Sequence, residues 1–256
     1  MKARSTESGQ AAVEAALTLP LTLFLFLMVL QLFLMAHGRI AAQLAAYGAT
    51  RVGSTNHGHC GRMTHAALLS VLPAVQAFMS PGLGGTAGDK VASLFSRVRD
   101  NRYDQTFSDG GSSTRYAGSI VWLIREQPLA GSVRALGAQD LEFDDDRAPM
   151  RLETRLVFWY PLKVPFANWV MSRMWHAQHG LQAFDAQNPL LPVGAARWSE
   201  RSTYALQAAV ASETLARALR GELVFPIETS WTMRMMTPAK AANFQRQNCS
   251  PAPENL

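Results

Sequence analysis

The sequence predicts an α+β protein, with a long N-terminal transmembrane helix continuing into a head of helices packed on a small antiparallel sheet. Three observations predict it. An apolar run over residues 11–36 is broken by strong polarity only at Glu14 and Gln31. The helical pattern then continues through RIAAQLAAYGATRVG without a stop. Farther on, RLETRLVFWYPLKV and FPIETSWTMRMM alternate apolar and polar residues with the period of two that marks half-buried strands.

Residues 11–36 would span about 39 Å as a helix, against roughly 30 Å of hydrocarbon. A cleavable secretory core runs only about 7–15 residues, so this segment is expected to stay. Lys2 and Arg4 precede it. The positive-inside rule then puts the N-terminus in the cytoplasm and the bulk of the chain outside it. Pro20 removes one helix hydrogen bond, so a kink or local unwinding is expected near residues 16–20. Above the apolar run, Ile40, Leu44 and Tyr47 recur at helical spacing with Ala41, Ala45 and Ala46 between them. Gly53 and the following Ser-Thr-Asn-His-Gly read as the stop. One helix over 10–52 is expected, its lower half in lipid and its upper half packed on the head.

MTHAALLSVLPAVQAF reads as a second helix, bent or broken at Pro73, and the glycine-rich MSPGLGGTAGDK as a linker. The linker is no phosphate loop, since Asp89 follows Gly88 where lysine is needed. DKVASLFSRVRDNRYDQ is expected to be a helix capped by Asp89, SDGGSSTRYAG a loop and SIVWLIR a short strand. On the strand RLETRLVFWYPLKV, Leu152, Thr154, Leu156, Phe158 and Tyr160 share a face; on FPIETSWTMRMM, Phe225, Ile227, Thr229, Trp231, Met233 and Met235 do. PFANWVMSRMWHA and TYALQAAVASETLARALRG read as helices. The tail over 238–256 is polar and marked by proline, and is expected to be flexible unless Cys249 ties it down.

The 256 residues leave room for one membrane segment and one domain of ordinary size. The net charge of +5 raises the question of nucleic acid, but Asp100 and Asp104 interrupt the densest basic group, Arg97, Arg99 and Arg102. That is the pattern of a solvated helix face, and no nucleic-acid partner is expected. Cys60 and Cys249 fit one disulfide outside the cytoplasm or two unpaired thiols. His57, His59, Cys60 and His65 lie close together without a second ligand pair beyond His176 and His179, so no metal site is predicted. The acidic run Glu142, Asp144, Asp145 and Asp146 lacks the glycine and terminal glutamate of a calcium loop. No hydrolytic motif appears, so neither catalytic residues nor a cofactor are predicted. Trp159, Trp169, Trp175 and Trp231 read as core or membrane-surface residues before interface anchors.

Gly9-Gln10-Ala11-Ala12-Val13-Glu14 resembles the processing site of type IV pilin precursors, in which a peptidase cuts after glycine and glutamate stands fifth in the mature chain. Counted from Gln10, Glu14 is fifth. The wider stretch is similar to the TadE-like pseudopilins of tight-adherence (Tad) pilus machinery. The Val-Glu pair, the Leu-Pro after it, the leucine and phenylalanine run and the Arg-x-Ala-Ala continuation all match. Ala15 stands where many members have Phe or Tyr, and Gln31 where some carry a second acid.

The resemblance implies a leader over 1–9, a transmembrane and assembly helix over 10–52, a periplasmic pilin-like head over 53–237 and the tail. It implies a single-pass protein of the bacterial inner membrane, with entry into the pilus itself left open. The implied partners are a prepilin peptidase, other pilins or pseudopilins, inner-membrane Tad assembly proteins and the lipid bilayer. The implied function is non-enzymatic, that of a minor pilin or pseudopilin in pilus assembly.

Glu14 itself supports a physical reading beside this. A carboxylate at lipid depth costs roughly 2.5–3.5 kcal/mol on insertion scales. Cleavage after Gly9 would create an amine at Gln10, one helical turn away, and pairing would compensate both charges. The alternative is a signal-anchored periplasmic binding or sensing domain, which needs neither Gly9 nor Glu14.

Overall fold

The computed structural model describes residues 7–75, 86–103, 116–136, 150–185 and 198–254. Residues 1–6 of the expected leader over 1–9, most of the glycine-rich linker, most of the SDGGSSTRYAG loop and the acidic run at Glu142 lie outside them. The described part is a long helix with an α+β head on its C-terminal half. Helix α1 (Glu7–Thr55) is followed by α2 (Cys60–Val75), α3 (Ala87–Val98), β1 (Val121–Gln127), α4 (Ala130–Leu136), β2 (Arg151–Pro161), α5 (Ala167–Asp185), α6 (Trp198–Leu219) and β3 (Val224–Arg234).

The sheet has the order β1-β2-β3, antiparallel throughout, with Val121 opposite Phe158 and Pro161 opposite Val224. Its period-two pattern decides what each face meets. Leu152, Thr154, Phe158 and Tyr160 are buried, and the contacts of this face run along α1. Thr50 and Thr154 share a hydrogen bond through their hydroxyls. Thr229 donates to the Ala42 carbonyl at 3.2 Å, and the Tyr47 and Trp231 rings meet edge-on at 5.4 Å. The other face carries Val157 and Trp159, both fully buried, with Arg217 of α6 lying 4.4 Å over the Trp159 ring. Tyr103 donates to the Trp159 carbonyl, and burial raises its phenol pKa well above the ordinary value.

The large apolar residues that mark the helical period in α1 are not the ones the head covers. Ile40 and Leu44 remain 57% and 56% exposed, whereas Ala41, Ala42, Ala45, Ala46 and Ala49 are buried. Small side chains let the helix axis approach the sheet and α2 closely, so backbone and Cβ atoms fill the space that leucines would occupy elsewhere. Glycine takes this furthest. A Cβ on Gly38 would stand 2.7 Å from the Tyr160 ring, and one on Gly53 would stand 2.6 Å from Leu152 and 2.7 Å from the Met63 sulfur.

One expectation changes at the level of local structure, and one element is new. Helix α1 is continuous through Pro20, the position at which a kink or local unwinding is expected from sequence. Thr86, not Asp89, is the N-cap of α3; Asp89 at the third helical position accepts from the Thr86 backbone N–H at 3.0 Å, closing a capping box. Helix α4, a seven-residue element, had no periodic signal long enough to read from sequence.

The tail, expected to be flexible unless Cys249 held it, is held over 238–254. Cys60 and Cys249 form a disulfide across 189 residues of sequence, and the Cys249 N–H donates to the Leu123 carbonyl at 3.0 Å. Beside it lies Arg125 of β1, 1% exposed. Its guanidinium donates to the carbonyls of Gly58 at 2.8 Å, Asn243 at 3.0 Å and Gln247 at 2.9 Å, and also to that of Arg246. It stacks 3.9 Å over the Phe244 ring. Burial lowers its pKa to about 10, which still leaves it charged at neutral pH. Gly58, at φ +72°, has no room for a Cβ beneath Phe244. The tail thus closes the tip of the head onto the α1–α2 turn.

Candidate functional site

Along α1 three kinds of surface follow one another. Over residues 12–30 every side chain is exposed or partly so, and the exposed ones include Leu17, Leu21, Leu25, Phe26 and Val29. The helix is long and apolar enough to cross a membrane once. The cover begins at Gln31. Its side chain is fully buried, and its Oε1 accepts the Val164 backbone N–H at 2.9 Å. Gln31 Nε2 is buried without a hydrogen-bond partner among the described residues. The polar Gln31 stands where the chain of the head returns to the helix.

Glu14 lies on the exposed surface near the bottom of the uncovered stretch, in an unbroken helix that also contains Gly9 and Gln10. Gln10 and Glu14 are four positions apart, so the two lie on one face a turn apart. The Thr18 hydroxyl donates to the Glu14 carbonyl at 2.8 Å, and Thr22 donates to the Leu19 carbonyl at 2.9 Å. These bonds satisfy threonine in an apolar setting without help from another chain.

Above Gln31 the helix has two unlike sides. The inner side is the alanine row already described. The outer side carries Phe33, Ile40 and Leu44, spaced to lie near one another, and no element of the described head covers them. Next to this row, Met35, Ala36, Arg39, Phe225, Pro226, Ile227 and Glu228 line a shallow open groove between α1 and β3.

The other residues singled out from sequence go elsewhere. Cys60 is committed to the disulfide, His57 Nδ1 lies 2.8 Å from the Pro238 carbonyl, and the His65 ring meets Phe95 edge-on. Among the described residues no three His, Cys, Asp or Glu side chains converge as a metal site would require. Trp159 is core and Trp175 nearly so, while Trp169 and Trp231 keep 57% and 42% exposure. Gln31, read from sequence only as a departure, and Arg125, not read at all, are the two positions that sequence reasoning missed. A polar residue inside an apolar run was the available signal for Gln31. For Arg125 there was none, because its acceptors are backbone carbonyls distant in sequence.

Residues 9–51 match the family model described as TadE-like protein. No curated protein and no solved structure matches the chain. The N-terminal helix is thus TadE-like, which supports a protein of the Tad pilus system with an apolar helix suited to anchoring it in a membrane.

Proposed function

We propose that the protein is a membrane-anchored pseudopilin, a non-enzymatic component that acts in assembly of a Tad-type pilus through helix packing along α1 and contacts of its head. The observation that carries this reading is the apolar outer side of α1 above Gln31. A plain anchor has no use for Ile40 and Leu44 on an uncovered face beyond the lipid. A helix that must pack against other helices does.

In this reading the precursor lies in the inner membrane with Lys2 and Arg4 in the cytoplasm and the head in the periplasm. A prepilin peptidase cuts after Gly9. The new amine of Gln10 then pairs with Glu14, in its own chain or a neighbour's, and favours one axial register among packed helices. Other pilins or pseudopilins and the inner-membrane Tad assembly proteins are the partners of the outer face.

The test is the intact mass of the membrane-extracted protein with and without a co-expressed prepilin peptidase. Loss of MKARSTESG, abolished by Gly9→Leu, is the expected result. A chain left uncut under both conditions would sink the pilin reading and leave a signal-anchored domain.

A further inference from the structure

Helix α5 begins where α1 leaves the uncovered stretch. Strand β2 descends along α1, from Leu152 beside Gly53 to Tyr160 beside Gly38, and Val164 then bonds to Gln31. The next residues, Pro165 and Phe166, turn the chain into α5 at that level. Phe166 has a positive φ of 64° and is 73% exposed. The inner side of α5 is ordinary core: Ala167, Ser172 and Trp175 are buried. Its outer side carries Trp169, Arg173 and Met174, all exposed and spaced to share a face with Phe166. The Arg173 guanidinium lies 5.8 Å from the Trp169 ring centroid. No carboxylate occurs over residues 163–178.

An aromatic, thioether and arginine face without acids is unsuited to water and is not a core. We propose that it is a bilayer contact: the start of α5 lies in the headgroup layer, with Phe166, Trp169 and Met174 at the acyl-chain boundary and Arg173 among anionic headgroups. Two observations name lipid as the occupant. The stretch of α1 that is apolar and uncovered on every side ends at Gln31, so in the membrane reading of α1 the residues bonded there stand at the end of the span. Tryptophan and arginine are the side chains that combine an apolar body with a polar end at that depth. The consequence is that the head is held at a fixed height and tilt by two contacts, α1 through the membrane and α5 along it. An α1 anchor alone would leave the head free to swing.

The inference rests on the membrane reading of α1, and the experiment separates the two. Full-length protein is reconstituted in phosphatidylethanolamine–phosphatidylglycerol vesicles and floated after an alkaline carbonate wash. The emission of Trp169 is isolated as the difference between wild type and Trp169→Phe, a conservative change at an exposed position. Vesicles brominated near the headgroup end of the acyl chains should remove most of this emission, and vesicles brominated near the chain ends should remove less. Protein released by carbonate would overturn both the anchor and the α5 contact. Protein that floats, with Trp169 quenched by aqueous iodide and by no brominated lipid, would overturn the α5 contact alone. Shielding of Trp169 from iodide and bromine alike would mean that a second protein copy covers α5, which also overturns it.

Discussion

The two halves of α1 are one continuous helix that solves two different solvation problems. Over 12–30 it turns leucine, phenylalanine and valine outward on all sides and touches almost nothing of its own chain. Above Gln31 it presents alanine and glycine to the head and keeps its larger apolar residues on the far side. In the proposed anchor the side chains of the lower half are apolar because lipid would surround them, and their shape matters little. In the upper half shape decides, because the sheet face bearing Leu152, Thr154 and Tyr160 packs directly against the helix. Hydrophobicity selects the first half and volume the second.

The largest expected effect comes from releasing the head at its tip. Cys249→Ser removes a link across 189 residues and should destabilise the head by roughly 2–5 kcal/mol, read from thermal unfolding in detergent. Flotation with vesicles should be unaffected, since the lower half of α1 carries it. Loss of flotation in this variant would mean that the two halves are not independent.

Gly53→Val attacks the upper half where volume matters and should cost about 1–3 kcal/mol through overpacking against Leu152 and Met63. Leu23→Val, at an exposed position of the lower half, should leave head unfolding within about 0.5 kcal/mol of wild type. Equal costs would refute the division. Leu44→Asp sharpens it further: the head should unfold as wild type does, while assembly into pili in cells should be lost. A variant that assembles normally would leave the outer face without the packing role assigned to it.

The smallest effect is a titration. Burial pushes the Tyr160 phenol up to about 12 from the ordinary value of 10.0. The unfolded chain therefore loses its proton first as pH rises past about 10, so this group's contribution to stability falls from there toward 12. Phenolate absorbance of wild type less that of Tyr160→Phe should show the delayed ionisation. A midpoint near 10 would mean that the ring is not packed against α1.

Much of the fold was legible because periodicity is local. The strand pattern of RLETRLVFWYPLKV and the apolar run of α1 each follow from a few neighbouring residues, and both elements form where the pattern predicts. The resemblance of the Gly9, Gln10 and Glu14 stretch to a pilin processing site is local in the same way, being a spacing within six residues. The disulfide was not legible: two cysteines on a chain of this length permit a bond without requiring one, and only the approach of α2 to the tail decides it. Arg125 was illegible because its acceptors lie in the Gly58 turn and the tail, which come together only in the folded head.

By itself, then, the sequence determined that a long apolar helix leads into an α+β head, since composition and period need no tertiary contact to be read. It also marked the row of Ile40 and Leu44, but not which way that row faces. The tertiary structure decided that the alanine side is the inner one, that the cover begins at Gln31, and that α5 starts at the same level. The physical reason is that a helix with apolar residues on both sides can bury either. The choice falls to the surface that fits, and here the sheet leaves room for small side chains, chiefly alanine and glycine.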